Sequence, residues 1–223
     1  MKSVAALFLL LIAAVLAHDT WIEKDGDVYT LRYGHLDYKG SHEGVREIPY
    51  DPKKVVEAVC AKGEITEKVE FERNYPVRVE KRCDELYFLM DNGYFTKTPY
   101  GTKPVTKDKA RMAVYSWHSI ESVKYVNRPV KRAIGRSLEL VFVSDIPNTK
   151  EKARLELMFD GKPARGVVSY FGKPRGYSGL DGRINIKIKR EGFQKIEASL
   201  KEPCKDLAKC DETVYTTSLI FGD

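Results

Sequence analysis

Asp27-Val28-Tyr29-Thr30-Leu31-Arg32-Tyr33-Gly34-His35 alternates with a period of two. Tyr29, Leu31, Tyr33 and His35 fall on one face, and Val28, Thr30 and Arg32 on the other, as in a β-strand with one face against a core. Working outward, the same alternation recurs in Ile65, Val69 and Phe71 against Thr66, Lys68 and Glu70, and in Ile184, Ile186 and Ile188 against Asn185, Lys187 and Lys189. Asp91-Asn92-Gly93, Asp160-Gly161-Lys162-Pro163 and Asp181-Gly182 carry turn chemistry between such runs. No long stretch has helical periodicity. The expected fold is all-β, built as two β-sandwich modules.

The basic stretch from Arg128 to Arg136 reads as a junction. It divides residues 18–135, a β-rich block holding every histidine together with Cys60 and Cys83, from residues 136–223, a compact block holding Cys204 and Cys210. The chain opens with Met1-Lys2 and an apolar run from Val4 to Ala17. That run suits a secretory leader and is too short to span a bilayer. Val15 and Ala17 supply the small residues for cleavage after Ala17, so a periplasmic or otherwise exported location is expected. Four cysteines in an exported chain read as disulfides. Of the three pairings, local Cys204–Cys210 with Cys60–Cys83 is preferred, and the spacings fit no zinc pattern.

The formal charge is +6, with lysine and glutamate interspersed, which argues for a solvated surface and against nucleic-acid binding. There is no serine elbow, phosphate-binding glycine loop, His-Glu-x-x-His or outstanding carboxylate pair, so an enzyme is not the expected reading. The single carboxylate in Ser178-Gly179-Leu180-Asp181-Gly182 is too few for calcium.

Cleavage after Ala17 would make His18 the new N-terminus. A terminal histidine offers an α-amine, titrating near ~7.7–8, and an imidazole near ~6.5. Together they can close a chelate ring on a late first-row metal such as Ni(II) or Cu(II). Candidate metal ligands are therefore His18, His35 and His118. Gly34 lets backbone or ligand approach beside His35. Strand alternation puts His118 on the face of Met112, Val114 and Ser116, opposite Trp117. His42, in Gly40-Ser41-His42-Glu43-Gly44, is a loop histidine and a weaker candidate. Each of the other histidines also has a plain structural reading, packed against neighbours or exposed.

Ala17-His18-Asp19-Thr20-Trp21, Tyr33-Gly34-His35, Tyr50-Asp51-Pro52, Gly93-Tyr94-Phe95-Thr96-Lys97-Thr98 and Ser122-Val123-Lys124-Tyr125 stand in one order. So do Gly161-Lys162-Pro163, Gly166-Val167-Val168, Asp181-Gly182-Arg183, Gly192 and the Thr216 to Phe221 strand. In this order and spacing the chain resembles the periplasmic component family of nickel or cobalt uptake (NikK-type), over nearly the whole mature chain. The resemblance implies a C-terminal module of transthyretin-like or carboxypeptidase-regulatory type. It also implies Ni(II) or Co(II) as the bound ion and a membrane metal transporter as partner. Only His18 and His35 match the family's histidine positions well. The alternatives are a copper-binding protein, a histidine-brace copper monooxygenase using His18 with His35 or His118, and a structural β-sandwich module without metal.

Overall fold

The structure is a computed structural model that describes residues 18–36 and 46–222. The strands run β1 (Asp19–Asp25), β2 (Val28–His35), β3 (Arg46–Glu47), β4 (Val55–Lys62), β5 (Ile65–Lys68), β6 (Arg78–Glu80), β7 (Glu85–Thr98), β8 (Gly101–Lys103) and β9 (Tyr115–Val126). They continue as β10 (Leu138–Phe142), β11 (Lys152–Phe159), β12 (Lys162–Pro163), β13 (Val167–Tyr170), β14 (Lys173–Tyr177), β15 (Arg183–Lys187), β16 (Gln194–Pro203) and β17 (Glu212–Phe221). Among the described residues there is no α-helix, and the chain is all-β.

A nine-stranded sheet in the order β14-β13-β16-β17-β9-β7-β4-β5, with β8 on β7, forms the backbone of the molecule. Two four-stranded sheets accompany it: β1-β2-β3 with β6 on β2, and β10-β11-β12 with β15 on β11. The β1–β2 sheet encloses one core, where Trp21, Ile22, Tyr29 and Leu31 meet Leu86, Phe88, Val123, Tyr125 and Ile220. The β10–β11 sheet encloses a second, where Leu138, Leu140, Phe142, Leu155 and Leu157 meet Val168, Ile196, Leu219 and Phe221. Leu219 and Ile220 on β17 point to opposite faces and serve different cores, as strand alternation requires. Among the described residues, β9 and β17 form the one parallel pair, from Trp117 opposite Glu212 to Val126 opposite Phe221.

The alternation in β2 and β15 holds: Tyr29, Leu31 and Ile186 are fully buried. Two sequence expectations change. Asp91-Asn92-Gly93 is a bulge inside β7 and not a turn, because β9 pairs across it with Asp91 opposite Ile120 and Gly93 opposite Ser119. The Asp91 carboxylate accepts the Gly93 N–H at 2.9 Å, and Gly93 takes φ of 81°. A glycine absorbs the extra residue without breaking the ladder. The Ile65 run is the other: β5 is the last strand of the sheet, exposed throughout, and Ile65 lies in solvent. Only Val69 and Phe71, beyond its end, reach the first core.

Both disulfides pair as expected, Cys60 with Cys83 and Cys204 with Cys210. The basic junction is packed down. Arg132 donates to the carbonyls of Gly63 and Glu64 and to Thr66. Ile134 and Gly135 donate backbone N–H groups to Glu139. Glu139 also meets Lys124 at 2.8 Å, and Lys124 meets Glu85 at 3.1 Å. Burial opposes the charge on Lys124, but Glu139 and Glu85 together raise its pKa. Such a closed network satisfies charges that would be costly to bury alone.

Candidate metal centre

The β1–β2 register sets Thr20 opposite Tyr33 and Asp19 opposite Gly34. One step further out, the antiparallel ladder brings His18 beside His35. Their ring centroids are 4.7 Å apart, tilted by 46°. Residues two apart share a face, so Tyr33 lies next to both histidines. Its hydroxyl is 2.9 Å from His18 Nδ1. Burial, with a contribution from the charge of Glu121, raises the Tyr33 pKa and keeps the phenol protonated; with His18 in its Nε2–H tautomer the phenol donates to Nδ1. His18 is exposed, while Tyr33 and His35 are half-buried.

Gly34 is what permits the close pairing of β2 with β3 here. It takes φ of 153°, and a Cβ at this position would overlap the Arg46 carbonyl oxygen. The neighbour that approaches Gly34 is therefore backbone.

Asp19 fixes the strand that carries His18. Its carboxylate pairs with Lys195 Nζ from β16, and it accepts the Leu36 N–H at 3.0 Å. Lys195 is buried and also meets Glu197 at 2.7 Å. The ends of β1 and β2 are thus tied to each other and to the large sheet. Beneath them, Thr20 faces Glu121 of β9, and Asn92 donates to Glu121 at 3.1 Å. Thr20 Oγ1 makes no well-aligned hydrogen bond among the described residues, yet it lies close enough to favour the ionised Glu121. Burial outweighs this and raises the Glu121 pKa.

His118 lies elsewhere. On β9 it shares a face with Ser122 and Lys124, which meet Leu138 and Glu139 at the start of β10. Glu121 points to the other face, toward Thr20. The thickness of the large sheet therefore separates His118 from the His18–His35 pair. His118 Nε2 is 2.8 Å from Asp91 Oδ1, and its ring stacks on Tyr94 at 4.4 Å. His42 lies outside the described residues. Among the described residues, no group of three or more histidine, cysteine, aspartate or glutamate side chains is arranged to hold a metal ion. The candidate donors brought together are the imidazoles of His18 and His35.

Sequence reasoning did not single out Tyr33 or Lys195. Tyr33 was findable, since a period of two puts it beside His35. Lys195 carries no local signal, because its partner Asp19 is remote in the chain.

No family model matches the chain. No solved structure matches it. An uncharacterized protein of Haemophilus influenzae is 24% identical over 219 residues, covering 92% of this chain and 90% of that one.

Proposed function

We propose that this chain is an exported protein that binds Ni(II) or Co(II) as cargo and passes it to a membrane transporter. The observation that carries the reading is the apposition of His18 and His35 at the outer end of the β1–β2 ladder. After cleavage at Ala17, the α-amine and Nδ1 of His18 close a six-membered ring on the metal, and His35 adds a second imidazole. Nitrogen donors of this kind suit late first-row divalent ions, and a partly filled coordination sphere leaves room for a receiving ligand. His35 sits on a strand whose end is braced by Asp19, Leu36 and Lys195, so the imidazoles meet with little ordering left to do. The two disulfides fit an oxidising, exported setting.

The test uses tag-free mature protein whose N-terminus is confirmed by mass. Ni(II) and Co(II) are titrated against it, against a form extended by one residue, and against His35→Ala. A single metal should bind the mature protein tightly, and both changes should abolish tight binding. Equal binding by the extended form would remove the amine from the site and with it this reading. Cu(II) is included as a chemical control, because nearly any nitrogen site prefers it and affinity order does not identify cargo.

A further inference from the structure

Although lysine and glutamate mix along most of the chain, the fold gathers one charge at one edge. Residues 162–190 contain eight lysines and arginines against a single acid, Asp181, while the whole chain carries only +6. This stretch builds β14, an outermost strand of the large sheet, and β15, paired with β11 in the sheet behind it. Lys173, Arg175, Arg183 and Lys187 are exposed along the two strands. Among the described residues, Arg183 alone of the eight has a carboxylate partner, Asp181 at 4.0 Å.

Lysine, proline and arginine on β14 would protect a free sheet edge from pairing with another chain. That accounts for Lys173, Pro174 and Arg175 but not for two other features. Lys187 stands directly opposite Lys152 on the outer face of the β11–β15 pair, a like-charge juxtaposition that destabilises a sheet. The turn between β14 and β15 also lifts Leu180 into solvent at 85% exposure, next to Tyr177 at 65%. The turn is firmly built. Gly166 N–H donates to Ser178 Oγ at 3.0 Å, Ser178 Oγ donates to the Ala164 carbonyl at 2.9 Å, and Arg183 N–H donates to Asp181 at 3.1 Å. A fixed apolar tip with an exposed tyrosine, ringed by exposed cations of which only Arg183 has a carboxylate partner among the described residues, has the chemistry of a membrane interface: leucine enters the acyl boundary, tyrosine sits at headgroup level, and arginine and lysine meet phosphate.

We infer that the β14–β15 edge docks the protein on an anionic phospholipid surface, with Leu180 inserted and Arg175, Arg183 and Lys187 on the headgroups. The inference is independent of metal binding at His18.

Co-sedimentation of the mature protein with vesicles tests it. Binding is expected to equimolar phosphatidylcholine and phosphatidylglycerol, not to pure phosphatidylcholine, and should weaken as salt rises. Reversing Arg175→Glu or Arg183→Glu should each lower partition about fivefold or more. Leu180→Asp should lower it as well. Lys53→Glu with Lys54→Glu, a charge change twice as large but outside the edge, should leave most binding intact. Thermal melts show that each variant is folded, since all these side chains are on the surface. Absence of vesicle binding overturns the inference, as does an equal loss in the Lys53, Lys54 control. Retention on a polyglutamate matrix without vesicle binding also overturns it, in favour of an acidic protein partner.

Discussion

Replacing Tyr33 with phenylalanine tests how His18 engages a metal. A terminal histidine chelates through its amine and Nδ1, because Nε2 points away from its own backbone. In the structure Nδ1 is already engaged by the Tyr33 hydroxyl at 2.9 Å. The Nδ1 position a metal needs is therefore engaged in either tautomer, and binding must first break this bond. The pair is solvent-accessible, so its net worth is that of an ordinary hydrogen bond, about 0.5–1.5 kcal/mol. Tyr33→Phe keeps the ring beside His18 and removes the competitor. Ni(II) should then bind roughly two- to tenfold more tightly. Isothermal titration of both mature proteins at one pH and buffer gives the comparison, and His35→Ala in the Tyr33→Phe background should erase the gain. An unchanged or weaker affinity for Tyr33→Phe would refute the reasoning. It would mean either that Nδ1 is not a ligand or that the phenol assists the metal.

Lys195→Met removes the cation that pairs with the nearly buried Asp19 carboxylate. Removing one partner of such a pair should cost about 3–5 kcal/mol, seen as a fall in melting temperature of roughly 10 °C or more. Glu121→Gln addresses pH. Burial raises the folded pKa of Glu121 above its unfolded value, so the folded state holds the proton more strongly and stability declines as pH rises through that window. The glutamine variant should melt higher than wild type near pH 8, and the difference should close by about pH 4. Gly34→Ala forces a side chain into a backbone oxygen at a positive φ, a strain of about 1–3 kcal/mol from the dihedral alone. Its effect should appear both in the melting temperature and as weaker Ni(II) binding, since β2 beside His35 must shift.

The strands were legible where neighbours in sequence are neighbours in physics. Tyr29 and Leu31, and Ile186 and Ile188, advertise a half-buried strand by alternation alone. Asp160-Gly161 reads correctly as a tight turn, with φ of 48° and 72°. The cysteine pairing followed from nearness along the chain. Asp91-Asn92-Gly93 misled because the same residues that close a hairpin also accommodate a bulge, and only the partner strand decides between them. The parity of His118 was readable, but not that β1 covers the opposite face of β9. The closeness of His18 and His35 depends on register between two short strands, and on Lys195 arriving from the far end of the chain. Pairings of such long separation leave no periodic trace in a single sequence.

The parallel union of β9 with β17 has a consequence for how this chain folds. β17 lies between β16 and β9, and it gives Ile220 to one core and Leu219 and Phe221 to the other. A ribosome presents these residues long after β1 and β2. Until they arrive, β9 lacks its parallel partner and both cores lack the side chains that β17 supplies. Topologies dominated by remote contacts fold slowly. Here the delay is written into strand order: among the described strands, the one that contributes to both cores stands last in the chain.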